Sequence, residues 1–205
     1  MKTRTEARRQ AILLTAAELF KETGYERASM NELAKRCGGS KATLYGYFPS
    51  KEALFTAVVE TFSTDHLLQA LDHLQHPSSD ATLESVLRHF AERMMSVLTD
   101  DSNALAVYRL VVAESGHSDV GRLFYESGPA EANKALAVVL EAAMDCGQLR
   151  RADPMLAAHQ FMALSTAEVN MRQFQRKPQP VSLEQIQAMM DRAIDTFFHG
   201  FGTRD

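Results

Sequence analysis

Apolar residues recur every three or four positions along almost the whole chain, and no segment alternates regularly between apolar and polar residues. This spacing is the period of an amphipathic α-helix, so the pattern predicts an all-α fold. The first helix is expected over about residues 5–23 and is stopped by Gly24. Its expected buried stripe consists of Ala11, Ile12, Leu14, Ala16, Leu19 and Phe20.

Two short helices follow, joined by a glycine turn. Ser29 and Ser40 stand where N-cap residues belong, and the second helix is expected to end near Pro49. Gly38 and Gly39 form the turn, where glycine most easily adopts a positive φ. The second short helix exposes more polar groups than a buried helix would carry, namely Ser40, Lys41, Thr43, Tyr45 and Tyr47.

The remaining three quarters of the chain also follow the helical period, with breaks at polar, glycine and proline positions. The last helix opens with a capping box formed by Ser182 and Gln185. Together with the first three, these segments give about nine or ten helices. The later helices are expected at about 51–74, 81–98, 103–114, 119–126, 130–146, 154–176 and 182–199.

Charge is distributed unevenly along the chain. Residues 1–51 contain ten Lys and Arg against five Asp and Glu, a net charge of +5. The rest contains twelve against twenty-one, a net charge of −9, which together give the total of −4. A cationic first quarter followed by an anionic remainder suits a small nucleic-acid-binding head on a body that DNA repels.

The sequence gives little indication of a membrane protein, a metalloprotein or an enzyme. There is no apolar run of about 18 residues and no secretory signal, so we expect no membrane span and a cytoplasmic protein. Two cysteines form neither a disulfide framework nor a zinc framework, and Asp72 with His76 is a weak metal signature at a helix end. We therefore expect no metal, no cofactor, no catalytic residues and no enzymatic activity. We interpret Glu114 and Glu168 as surface carboxylates. The alternative is that they are buried and pair with a cationic ligand.

Residues 24–55, GYERASMNELAKRCGGSKATLYGYFPSKEALF, resemble the DNA-binding signature of TetR-type transcriptional regulators. One position departs from the family pattern, because Gly39 stands where an apolar Val or Ile is usual. We expect that loss of buried methyl groups to loosen the turn by about 1 kcal/mol. The matching positions are Gly24-Tyr25, Ser29-Met30, Leu33-Ala34, Gly38, Ser40, Thr43-Leu44-Tyr45, Tyr47-Phe48, Lys51 and Leu54.

The resemblance implies a helix-turn-helix domain over residues 1–50 that binds a double-stranded DNA operator. Residues at the start of the recognition helix are expected to reach base edges, and the others to hold phosphates. Half-buried packing is the alternative for the two tyrosines, and Lys2 and Arg4 are expected to form a flexible arm. The candidate DNA-binding residues are Ser29, Ser40, Lys41, Thr43, Tyr45, Tyr47 and Lys51.

By the same resemblance, residues 51–205 form a body that binds a small effector and forms a homodimer through the last two helices. The expected function is that of a repressor released from its operator by a largely apolar ligand. A helical-bundle enzyme and a protein-binding adaptor are the alternatives, and core packing is the alternative for each ligand candidate. The candidate ligand-binding residues are Phe62, His66, Phe90, Met94, Tyr108, Val112, Phe124, Tyr125 and Phe161.

Overall fold

The computed structural model describes residues 5–64, 67, 70–72, 74, 76, 78, 80–99 and 103–203. Every regular element in these ranges is helical, which confirms the all-α prediction. The α-helices are α1 (Glu6–Thr23), α2 (Met30–Arg36), α3 (Lys41–Tyr47), α4 (Lys51–Val59), α5 (Leu83–Thr99), α6 (Asn103–Glu114), α7 (Val120–Glu126), α8 (Pro129–Asp145), α9 (Pro154–Thr166) and α10 (Leu183–Phe201).

Short polar side chains set where these helices begin. The hydroxyls of Ser29 and Ser40 each accept a backbone N–H three residues on, as expected of N-caps. Ser182 and Gln185 form the predicted capping box at the start of α10. In the turn between α2 and α3, Gly38 has φ 61°, whereas Gly39 does not adopt a positive φ, so that expectation was wrong for Gly39.

The buried face of α1 differs from the predicted stripe. Leu13 is fully buried, whereas Leu14 is 52% exposed and Ala11 is also exposed. The residues that do pack inward are Ile12, Leu13, Ala16, Leu19 and Phe20. They follow the spacing i, i+1, i+4, i+7 and i+8, which keeps them on one side of a helix with 3.6 residues per turn.

Two of the predicted long helices change character along their length. After α4 the chain continues as a π-helix over Glu60–Thr64, where each turn contains more residues than in an α-helix. The helix expected over 154–176 ends at Thr166, and a 3-10 helix follows over Asn170–Phe174. Within that segment Arg172 is only 8% exposed, and its guanidinium donates to the carbonyl oxygens of Thr99 and Gln179. The local change of helix type accompanies the burial of this cation against carbonyl acceptors.

The chain divides into two compact units, each built from two separate stretches. The first unit comprises Met1–Asp65 and Ser102–Ser127, and the second comprises His66–Asp101 and Gly128–Asp205. The first unit therefore packs α4, α6 and α7 with the three N-terminal helices. The predicted boundary at residue 50, between a DNA-binding domain and an effector-binding domain, is not tested by these two units and stays a prediction.

Each unit has its own aromatic core. In the first unit Phe20, Tyr25 and Phe55 pack together, with ring centroids 5.0–5.7 Å apart. In the second unit the ring of Phe197 packs edge-on against Phe161 at 5.2 Å and stacks on Phe201 at 4.7 Å. Such ring pairs add to the stabilisation from buried area alone.

Candidate nucleic-acid interface

Helix α3 is held by two buried residues and exposes most of its remaining side chains. Leu44 is 2% exposed and Phe48, which follows the helix, is 3% exposed. The exposed residues of this segment are Ser40, Lys41, Ala42, Thr43 and Tyr45. A two-turn helix with this division places its polar face in solvent, as a helix that enters a DNA groove requires.

The N-terminus of α3 carries a compact set of donors and acceptors. The hydroxyls of Ser40 and Thr43 lie 2.9 Å apart, and the Ser40 oxygen also accepts the Thr43 backbone N–H at 3.1 Å. The ammonium of Lys41 lies 5.7 Å from the centre of the Tyr45 ring. Hydroxyls and an ammonium in this arrangement can bond to base edges or to phosphates.

The two tyrosines of α3 have different environments. Tyr45 is 41% exposed, whereas Tyr47 is half-buried and its hydroxyl oxygen accepts the backbone N–H of Thr5 at 3.1 Å. Thr5 is the N-cap of α1, so Tyr47 connects the C-terminal end of α3 to the N-terminal end of α1. Because the Tyr47 oxygen accepts this bond, its own proton is free to be donated to a phosphate.

Lys51 has a role within the protein that sequence reasoning missed. Its ammonium donates to the carbonyl oxygens of Tyr25 at 3.1 Å and Glu26 at 3.3 Å, and it lies 4.3 Å from the centre of the Tyr25 ring. The Tyr25 ring lies below the ammonium as a cation–π partner. Burial, followed by the carboxylate of Glu52, raises the pKa of the Tyr25 phenol, so this ring stays neutral at physiological pH. Lys51 therefore anchors α4 to the loop after α1, whatever phosphate contact it makes.

Glu114 was expected at the surface and instead supports that same loop. Its carboxylate accepts the backbone N–H of Tyr25 at 3.1 Å. A Cβ at Gly24 would lie 2.6 Å from the Glu114 carboxylate oxygen, so this glycine gives the carboxylate room as well as a φ of 78°. The sequence offers no local signal for this contact, because the two residues are 89 positions apart. Glu168 does lie at the surface, where Arg192 donates to both of its oxygens and lowers its pKa.

The ligand-binding candidates fall in both units. In the first unit Tyr108 packs edge-on against Phe124 at 5.9 Å, Phe62 lies half-buried in the π-helix, and Val112 and Tyr125 are 51% and 47% exposed. In the second unit Phe90 and Phe161 are fully buried within its apolar core, and Met94 is 5% exposed. His66, Lys2 and Arg4 lie outside the described residues.

Among the described residues, no three His, Cys, Asp or Glu side chains converge as a metal site would require. Asp72 and His76 do approach each other at 3.3 Å, but both side chains are about three quarters exposed. In the same part of the chain, no helix is both long enough and apolar enough to cross a membrane.

Two family models match the chain. Residues 12–58 match the model described as bacterial regulatory proteins of the tetR family. Residues 85–203 match the model described as the C-terminal domain of AefR-like transcriptional repressors. The first match contains α2, α3 and most of α1, and the second covers more than half of the chain.

Two curated relatives match part of the chain. The chain is 33% identical over 106 residues to the HTH-type transcriptional activator FasR of Mycolicibacterium smegmatis. It is 44% identical over 59 residues to the HTH-type transcriptional regulator UidR of Escherichia coli K12. These matches cover 52% and 29% of the chain, and the chain spans only 46% and 30% of the length of these two relatives.

Solved structures match over almost the full length. A putative TetR-family transcriptional regulator from Mesorhizobium loti MAFF303099 superposes with a TM-score of 0.77 at 26% identity. The flavonoid-responsive regulator FrrA superposes with a TM-score of 0.76 at 32% identity. Each match covers 98% of this chain and 100% of the other.

Proposed function

Because this chain belongs to the TetR family of transcriptional regulators, we propose that it is a sequence-specific repressor whose binding to an operator is controlled by a small effector. The N-terminal residues 1–50 read the DNA, and residues 51–205 bind the effector and form the dimer. Since its target is the genome, we expect the protein in the cytoplasm.

The exposed polar face of α3 is the observation that carries the DNA-binding role. Leu44 and Phe48 hold the helix, while Ser40, Lys41 and Thr43 stay exposed at its N-terminal end. Tyr47 and the N-terminus of α1 lie beside its other end, in a position to hold the phosphate backbone. The net charge of +5 over residues 1–51 attracts DNA and makes binding dependent on salt.

Selection from random DNA followed by a mobility shift tests this role. We expect a selected sequence to bind at moderate salt, and Lys41→Ala to weaken that binding. Lys134→Ala is the matched control, since Lys134 is an exposed lysine on α8. Failure to select any sequence would overturn the proposal. Full function with both Lys41→Ala and Tyr47→Ala would instead favour a protein-binding adaptor.

The proposed effector is a small, largely apolar molecule bound by residues of the body. FrrA, which is 32% identical to this chain, is a flavonoid-responsive regulator. We therefore extend the proposal to planar aromatic effectors and place flavonoids first in a thermal-shift screen. A true effector raises the melting temperature and releases the protein from its selected DNA, because it binds the two states unequally. A compound that stabilises the protein without affecting DNA binding does not qualify.

Repression rather than activation is supported by the match of residues 85–203 to a repressor family model. The match to the activator FasR makes activation of transcription the specific alternative. A reporter gene placed behind the selected operator distinguishes them. We expect expression to fall when the protein is present and to recover when the effector is added. A rise in expression would show an activator.

We also propose that two copies associate through α9 and α10, the last two α-helices. Leu156 on α9 and Leu183 on α10 are 54% and 64% exposed, which leaves apolar surface on both helices for a second copy to cover. A two-fold dimer presents two recognition helices to DNA, as paired half-sites require.

A further inference from the structure

The side chain of Arg8 crosses from α1 to the turn between α2 and α3. Its Nη2 donates to the carbonyl oxygen of Cys37, the residue that follows α2. The same nitrogen lies 3.1 Å from the point where a Cβ of Gly39 would stand. The guanidinium therefore lies against Gly39, the glycine of the turn that does not adopt a positive φ.

A small depression lies beside the turn. It has a volume of about 10 Å³ between the first three helices, and Arg8 and Gly39 are among the residues that line it. Its apolar lining comes from Ile12 of α1, Ala34 of α2 and Leu44 of α3. A Cβ at position 39 would have only the Arg8 guanidinium within 4 Å, so the glycine leaves room for this group to approach the turn.

Arg8 is suited to hold the turn against α1. The carbonyl of Cys37 lies at the C-terminal end of α2, where the helix dipole favours a cation. The half-buried stem of Arg8 adds apolar contact, and its planar end covers Gly39. A single side chain thus joins α1 to the turn that sets the direction of α3.

We propose that Arg8 is a positioning residue for DNA recognition, whose guanidinium takes the place of a side chain at position 39 and fixes α3 against α1. This inference rests on the proposed DNA-binding function. Ser40 and Thr43 stand immediately after the turn, so an error in its geometry moves the groups that face the bases. Arg8 acts through those residues and need not touch DNA.

A double-mutant cycle between positions 8 and 39 tests the proposal. Arg8→Met removes the guanidinium but keeps an apolar stem, and we expect it to lower the melting temperature and weaken operator binding about tenfold. Adding Gly39→Val to Arg8→Met should restore both, because the valine side chain would stand where the Arg8 guanidinium contacts the turn. Gly39→Val alone should change the melting temperature and the operator affinity less than Arg8→Met does, since Arg8 already occupies that site. Independent, additive effects would overturn the proposal.

Arg27 provides the matched control. Its Nε donates to the carbonyl oxygen of Thr23 at 2.8 Å, so it is also an arginine bonded to a carbonyl at the end of a helix. It is exposed and does not line the depression beside the turn. We expect Arg27→Met to have little effect on melting temperature and no rescue by Gly39→Val. An equal effect of the two arginine variants would contradict a specific role for Arg8.

Salt dependence separates positioning from direct contact with DNA. Losing a phosphate contact lowers the slope of log affinity against log salt by about one, whereas losing a positioning contact leaves it unchanged. We expect an unchanged slope for Arg8→Met and restored affinity in the double variant. If valine restores the melting temperature but not affinity, Arg8 contacts DNA directly and the positioning role is wrong.

The melting-temperature arm of the cycle does not involve DNA. It therefore tests the contact between Arg8 and the turn even if no operator is found, and failure of the DNA-binding function remains a distinct result. If Arg8→Met does not fold, Arg8→Lys replaces it, because lysine keeps the charge without the planar fork. Rescue of Arg8→Lys by Gly39→Val is then the expected result, and lack of rescue overturns the proposal.

Discussion

Single residues in the N-terminal helices serve both the fold and the proposed DNA contacts. Lys41 points into solvent and contacts only the ring of a neighbour on its own helix among the interactions described. Lys51 is bonded to two carbonyl oxygens and lies over a buried ring. A family pattern names both as DNA-binding candidates, but their surroundings give them unequal importance for stability.

This difference predicts the outcome of two matched substitutions. Lys51→Met should lower the free energy of unfolding by about 1–3 kcal/mol, because two charge-assisted hydrogen bonds and a cation–π contact are lost. Lys41→Met should change it by less than about 0.5 kcal/mol. Urea denaturation of both variants measures this. Equal stabilities would show that the bonds of Lys51 are exchanged for water without cost.

Helix ends explain how far the elements could be read from the sequence. Ser29, Ser40 and Ser182 each cap a helix as expected, since N-capping depends on residues only three positions apart. The 3-10 segment around Arg172 was missed, and its buried guanidinium donates to a carbonyl 73 positions earlier that no local pattern indicates. The roles of Lys51 and Glu114 were missed for the same reason, as their partners are 25 to 89 positions away. Local chemistry predicted where the helices begin, whereas contacts between distant residues could not be predicted from the sequence.

The end of α6 is joined to the loop after α1 through Glu114. Glu114→Ala should leave the Tyr25 N–H without its acceptor, which costs about 1–3 kcal/mol when the group is half-buried. Glu126→Ala is the control on α7, since that carboxylate pairs only with the exposed Arg122 among the described contacts. We expect a clear loss of stability for the first and almost none for the second in urea. A similar loss in both would contradict the supporting role of Glu114.

The 3-10 segment depends on its buried cation in the same way. Arg172→Lys should lower the free energy of unfolding by about 2 kcal/mol, because lysine cannot place two nitrogens toward separate carbonyl oxygens with the geometry of a guanidinium. Arg176→Lys, at an exposed position four residues later, should have no comparable effect. Thermal unfolding of the two variants makes the comparison. Equal melting temperatures of the two variants would contradict a role for Arg172 in the local change of helix type.

At the scale of the whole molecule, the proposed dimer makes function depend on concentration. Leu156→Glu together with Leu183→Glu introduces charge at the exposed leucines of α9 and α10. We expect this pair of changes to increase the monomer fraction in analytical ultracentrifugation and to weaken operator binding. The melting temperature of the diluted protein should change little, because neither leucine is buried in its own chain. An unchanged dimer would place the interface elsewhere.

The first unit is discontinuous, and this bears on how the protein is made. Its packing requires α6 and α7, which the ribosome synthesises only after residues 66–101 of the other unit have emerged. The DNA-reading helices therefore wait, incompletely packed, during translation of that intervening stretch. Expressing residues 1–65 alone should yield a fragment that is cut easily by proteases. Adding residues 102–127 as a separate peptide should protect it, and we expect a minimal DNA-binding fragment to need both stretches.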